Sequence, residues 1–246
     1  MSTTKLKNAP LKEVIFELHW DCPADSSGIQ TDPGFDLAQG VFASKIKKEF
    51  PVHRKLVPDG FPLKVFNAPL HQYWKGELKW PVIQHGEGMI AVNEVEVNYE
   101  WENSFKPLIV NTIEHLINSY DSTLKFNDVR LQYINAYDLD DLEPLEFLEM
   151  NLKTKFSNQY VLPGKFQNIN IEQVCKLSDN SRLVLNISDG INNQNQKKSV
   201  LWSITVHHKA PILFDHIFQW IETAHTTISG IFKEMLNPDF YASLDQ

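Results

Sequence analysis

Residues 13–20 alternate well, with Val14, Phe16, Leu18 and Trp20 on one face and Glu13, Glu17 and His19 on the other. Period two with a single apolar face marks a half-buried strand of the kind found in antiparallel sheets. The polar stretch 21–34, with Pro23, Gly28 and Pro33, is a loop. Residues 35–50 predict a helix, with Asp36 as N-cap, Leu37, Val41 or Phe42, Ala43 and Ile46 as an approximate stripe, and Pro51 as the stop. Pro58-Asp59-Gly60 is a turn signal before a short strand at 63–66. Residues 73–80 and 82–99 predict further strands, with Gly86 and Gly88 making a tight turn. Their alternation changes register near Asn93 and Glu94, which predicts a β-bulge.

A long amphipathic helix is predicted over 103–120. Asn103 or Ser104 caps it, Pro107 sits in its first turn, and Phe105, Leu108, Ile109, Thr112, Leu116 and Tyr120 form its buried stripe. Val129, Leu131 and Tyr133 then alternate as a strand. The acidic stretch 138–149, with Pro144, predicts a surface connection and a short helix.

Three more strands, 166–177, 182–187 and 199–207, are joined by the turn 178–181 and the polar loop 189–198, as a meander would be. Their inward sets are Ile169/Ile171/Cys175/Leu177, Leu183/Leu185/Ile187 and Val200/Trp202/Ile204/Val206. A last helix over 213–236 carries Phe214, Ile217, Phe218, Ile221, Ala224, Ile228, Ile231 and Met235 on one stripe. Strands followed by one long helix thus occur twice. The pattern defines an α+β chain with antiparallel sheet and long packing helices, in two halves, 1–137 and 138–246, that share one core.

Composition narrows the function classes. The chain has 246 residues and a net charge of −8, and its three arginines are Arg54, Arg130 and Arg182. An acidic, arginine-poor chain argues against broad nucleic-acid binding, which draws on clustered cations. The basic stretch from Lys45, Lys47 and Lys48 to Arg54 and Lys55 reads as a solvated helix face and its exit. Nucleic-acid binding there would require those side chains to form one face. Cys22 and Cys175 form no CxxC pair, the first residues lack an apolar core, and no apolar run reaches about eighteen residues. A cytoplasmic protein with reduced thiols and no membrane contact is expected.

No catalytic or cofactor motif emerges. His207 and His208 are adjacent on a strand and point to opposite faces, and Asp215 and His216 are badly spaced for one helical face, so no metal is expected. Gly86-Glu87-Gly88 lacks the following helix that a phosphate loop needs. Asp138, Asp140, Asp141 and Glu143 lack the EF-hand spacing. Fifteen Phe and six Trp are enough to line an interface. Tyr73, Trp74, Trp80 and Trp101 are the candidate protein-binding surface, because Trp and Tyr concentrate at such sites. Glu17, His19 and His225 are the candidate polar groups of a ligand cavity between sheet and helices, the alternative reading.

Two motifs carry a resemblance. Leu6-Lys7-Asn8-Ala9-Pro10-Leu11-Lys12-Glu13-Val14 runs into the first strand, and Trp220-Ile221-Glu222-Thr223-Ala224-His225 lies near the end, with Asn98-Tyr99-Glu100-Trp101 between them. Together they resemble a sporadically distributed bacterial family of about this length with no assigned activity. The resemblance transfers no catalytic residue. Its sporadic distribution implies mobile genes such as toxin–antitoxin or phage-defence cassettes. A binding or regulatory component with a partner protein is the expected function, and a homo-oligomer is expected as well because exposed sheet edges and surplus aromatics need covering. The doubled strands-then-helix plan is also similar to a duplicated SecB-like chaperone module, a likeness of fold rather than of function.

Overall fold

The computed structural model describes residues 6–24, 26, 28–58, 66–95, 97, 99–155, 163–164 and 168–246. Among these, nine strands form one antiparallel sheet. In chain order the elements are β1 (Leu11–Trp20), α1 (Phe35–Ile46), β2 (Val52–Lys55), β3 (His71–Gly76), β4 (Lys79–Gly86), β5 (Met89–Val95), α2 (Lys106–Ile117), β6 (Phe126–Asp138), α3 (Pro144–Asn151), β7 (Asn170–Lys176), β8 (Arg182–Ile191), β9 (Lys198–His208), α4 (Phe214–Met235) and α5 (Pro238–Ser243). The α+β class with antiparallel sheet is therefore the observed one.

The strand order is β2-β3-β4-β5-β1-β6-β9-β8-β7. It reads alike from both ends. A meander of three strands, β3-β4-β5 or β7-β8-β9, leads to the long opening strand of its half, β1 or β6, and each opening strand is followed in sequence by a helix, α1 or α3. The repeated order begins at Phe126, ahead of the acidic connection, and β2 has no counterpart.

The chain divides into two compact units, each discontinuous in sequence. One comprises Val14–Leu131 and His207–Ile221. Its core sets β1 residues Phe16, Leu18 and Trp20 with Phe35 and Phe42 of α1, Tyr73 and Ile83 of β3 and β4, and Ile109, Ile113 and Leu116 of α2, all buried. Full burial of one such aromatic or aliphatic side chain contributes roughly 1.5–3 kcal/mol. The other unit comprises Met1–Glu13, Gln132–Val206 and Glu222–Gln246. There Tyr137 stacks on Phe147 of α3 with ring centroids 5.0 Å apart, and Phe240 of α5 packs edge-on against both rings. A capping box, in which the Glu143 and Glu146 side chains each accept a backbone N–H, starts α3 after the acidic stretch.

Several expectations are corrected. The first helix stops at Ile46 rather than at 50, its N-cap is Gly34 rather than Asp36, and Leu37 is 67% exposed while Phe35, Ala38, Phe42 and Ile46 face inward. No bulge interrupts β5 where it pairs with β4, since the register runs unbroken from Gly86↔Met89 to Val82↔Asn93. Residues 89–94 are buried throughout, and a strand covered on both faces has no need of alternation. The irregularity lies instead in the β3–β4 pairing, between Trp74 and Gly76. The second long helix begins with a π-helical turn, Trp101–Phe105, before α2. β7 is exposed along nearly its whole length, Cys175 included, so its expected inward set is not a core face. Of the short strand expected at 63–66, residues 63–65 lie outside the described residues, and Phe66 is in a turn.

The β4–β5 hairpin needs both of its glycines. Gly88 has φ +74, in the left-handed region, and a Cβ on Gly86 would fall 1.9 Å from the Ala68 carbonyl oxygen.

Candidate functional site

The tip of the β3–β4 hairpin breaks two local rules at one residue. Gly76 pairs with Lys79, leaving Glu77 and Leu78 as a two-residue turn. Leu78 takes φ 53, a conformation that glycine or asparagine normally fills, and it is 66% exposed. A branched apolar residue held in the left-handed region and left in water serves neither local backbone preference nor the core.

Beside the tip lie the expected aromatics. Trp80 is half-buried and meets Trp74 edge-on at 5.2 Å, and the Arg54 guanidinium sits 5.9 Å above the Trp74 ring. Arg54 also donates to Glu77 at 2.5 Å. Trp74 is 7% exposed, and its indole N–H donates to Gln72 at 3.2 Å. Tyr73 is 1% exposed and accepts from the Gln39 amide of α1, and Trp101 is 7% exposed in the π turn against Phe105. Three of the four candidate aromatics are therefore packed inside, and Trp80 is the one at the surface, with Leu78, which sequence reasoning did not select. Around the tip Arg54, Lys75 and Lys79 stand against the single carboxylate Glu77, to which Arg54 is bonded, whereas Lys55 pairs with His71 at the far end of β3.

The polar candidates Glu17 and His19 also come together, on one face of β1, 3.5 Å apart. Arg130 of β6 donates to the other oxygen of Glu17 at 2.5 Å. Next along β6, Asp128 is 2.7 Å from His207 of β9. Burial pushes the Glu17 carboxyl upward, but the hydrogen bonds and charges of His19 and Arg130 outweigh it, and the net position is below the ordinary value. Asp128 follows the same logic, with burial opposed by the bond and charge of His207 and the charges of His19 and Lys209. In this row each carboxylate is bonded by an Arg or His side chain of its own or a neighbouring strand. Sequence analysis found Glu17 and His19 through strand alternation. It missed Arg130, Asp128 and His207 as their partners, because cross-strand register is not written in the sequence.

His225 of α4 is in the other unit, where its Nδ1 is hydrogen-bonded to the Tyr133 hydroxyl at 2.7 Å. Among the described residues, no three His, Cys, Asp or Glu side chains group as a metal site, and no helix is long and apolar enough to cross a membrane. A shallow hollow of about 200 Å³ is lined by Gly34, Leu37, Ala38 and residues 119–122. It falls short of the volumes of roughly 300–1,000 Å³ that enclose small molecules.

Two further groups escaped sequence analysis altogether. Asp32, in the loop before α1, accepts from the Trp20 indole at 3.1 Å, the Tyr120 hydroxyl at 2.7 Å and the Gly34 backbone at 3.1 Å, while its own N–H donates to Glu87 at 3.1 Å. Burial, then Asp32 and Glu87, push the thiol of nearby Cys22 up to about 12, so it stays protonated and unreactive. His85 of β4 is wholly buried among Phe35, Phe42 and Trp20, with ring centroids 5.0, 5.2 and 6.3 Å away, and neither of its nitrogens has a hydrogen-bond partner among the described residues.

No protein-family model, curated protein or solved structure matches the chain.

Proposed function

We propose that the protein is a non-enzymatic binding component whose partner docks on the β3–β4 hairpin tip. Leu78 carries this reading, as an apolar side chain held at φ 53 and 66% exposed. Backbone conformations of this sort cost free energy and persist where function requires them. Trp80 supplies the aromatic wall beside it, and the cations Arg54, Lys75 and Lys79 set the chemistry of the occupant: a partner-protein segment that presents an apolar side chain beside carboxylates. Trp and Arg are the residue types that dominate interface energies. The resemblance of the terminal motifs to a mobile bacterial family supports a partner encoded alongside, in a toxin–antitoxin or phage-defence cassette.

The test is co-purification from the native host followed by native mass spectrometry. Wild type is expected to carry one stoichiometric partner protein. Leu78→Glu and Trp80→Ala are each expected to lose it, by at least about tenfold in affinity, as for truncation of a central interface residue. Both variants should keep the wild-type circular dichroism spectrum, because neither side chain belongs to the buried core. Retention of the partner by Leu78→Glu would remove the tip from consideration. A wild-type protein carrying a small molecule in place of a protein would overturn the docking reading.

A further inference from the structure

The far end of the sheet has a different property: β7 is complementary to itself. It pairs with β8 without a break from Asn170↔Ser188 to Lys176↔Arg182, and among the described residues no strand lies on its other side. Two backbone bonds reveal which groups face outward. Leu177 N–H donates to the Ser181 carbonyl, and Asp189 N–H donates to the Ile169 carbonyl. The odd-numbered residues therefore aim their backbone groups at β8. In an antiparallel ladder the alternate residues aim theirs the other way, so Asn170, Glu172, Val174 and Lys176 present N–H and C=O groups along the open edge.

These four residues share one side-chain face, and Val174 is 54% exposed on it. An antiparallel copy of β7 laid along this edge with its two-fold axis at Val174 places Val174 opposite Val174. Glu172 then stands opposite the second copy's Lys176, and Lys176 opposite its Glu172. Glu172, Val174 and Lys176 of each strand then fall in hydrogen-bonded pairs, Asn170 stands opposite Ser178 just beyond the strand, and both charge pairs are opposite in sign. Moving the axis to Gln173 sets Glu172 against Val174 and Asn170 against Lys176, with no charge pair at all, and moving it to Glu172 sets two carboxylates against each other. Opposite charges directly across a ladder stabilise it and like charges destabilise it, so one register is selected. An open edge normally carries charges that discourage pairing. Here those charges reject most strands and accept this one.

We infer that two copies of the chain associate through β7, paired antiparallel about Val174, to make one sheet continuous across the dimer. The surface is separate from the hairpin tip, so the two proposals stand or fall independently.

Analytical ultracentrifugation over a concentration series tests it. Wild type is expected to show a monomer–dimer equilibrium. Glu172→Lys and Lys176→Glu each place like charges across the axis twice and are expected to weaken the dimer by about tenfold or more. The double variant, with both substitutions, restores opposite charges and should recover the dimer. In a Cys175→Ser background, Val174→Cys should form a covalent dimer on mild oxidation, because the Cα atoms of a hydrogen-bonded pair lie about 5.5 Å apart, within disulfide reach. A wild-type protein that stays monomeric, single variants that dimerise undiminished, or a double variant that remains dissociated would each overturn the assignment.

Discussion

Between pH 6.5 and 5 the protein is expected to lose stability steadily, and His85→Leu is expected to remove much of that slope. Burial, reinforced by His71, holds the His85 imidazole down at about 3, whereas an unfolded chain protonates it near its ordinary value of 6.5. In that window the unfolded state binds a proton that the folded state refuses. Stability therefore rises with pH, is fully present above 6.5 and is lost as pH falls toward the folded value, by about 1.4 kcal/mol per pH unit for one such group. His71 is held at about 4 by burial, then by His53 and Lys55, and acts in the same direction. Below pH 4.5 the depressed carboxyls Glu17 and Asp128 continue the trend. At pH 7 His85→Leu should also raise stability by about 1–3 kcal/mol, since it replaces two polar atoms without partners by apolar ones in an aromatic box. Urea unfolding at pH 7, 6 and 5 measures both effects. Parallel pH slopes for wild type and variant would show that His85 accepts protons in the folded state.

Asp32→Ala should have the largest effect of any single substitution outside the apolar core, a loss of roughly 3–5 kcal/mol. Three donors converge on this one carboxylate. Two of them belong to large rings, Trp20 at 2% exposure and Tyr120, which meet edge-on at 5.8 Å. Removing the carboxylate leaves a buried indole N–H and a phenol with nothing to bond. It also releases the loop whose turn at Gly34 starts α1. Burial first and the Asp32 bond second keep the Tyr120 phenol far above its ordinary range, so it remains a donor at every accessible pH. The denaturation midpoint should fall without a change in its slope. An unchanged midpoint would mean that water replaces the carboxylate at no cost.

These two residues also show what a sequence conceals. β1, β9 and α4 are legible because each has one wet face and one dry face: Phe16, Leu18 and Trp20, then Val200, Trp202, Ile204 and Val206, then Ile217, Ile221, Ala224 and Ile228, are all buried as the periodicity requires. β5 misleads because both of its faces are covered, and β7 misleads because both are open. Ile171 and Cys175 carry the same alternation whether or not anything packs against them. The aromatics at 73, 74 and 101 look equally suited to a groove or a core, and packing decides for the core. Asp32 has partners 12, 55 and 88 residues away. Nothing local distinguishes it from other aspartates in polar loops. His85 is one of nine histidines, and only its placement beneath α1 makes it unusual. Leu78 was overlooked because a lone leucine between lysines carries no period at all.

The position of β1 between β5 and β6 has a consequence for the chain as it leaves the ribosome. β5 follows β1 soon enough to cover one of its edges, but β6 is synthesised roughly a hundred residues after Trp20, on the order of ten seconds later at ~5–20 residues per second. Throughout that interval the nascent first half ends in a ten-residue strand with an open edge and an apolar face of Val14, Phe16, Leu18 and Trp20. Translation speed through residues 21–126 therefore sets how long each new molecule is open to mispairing with its neighbours on a polysome.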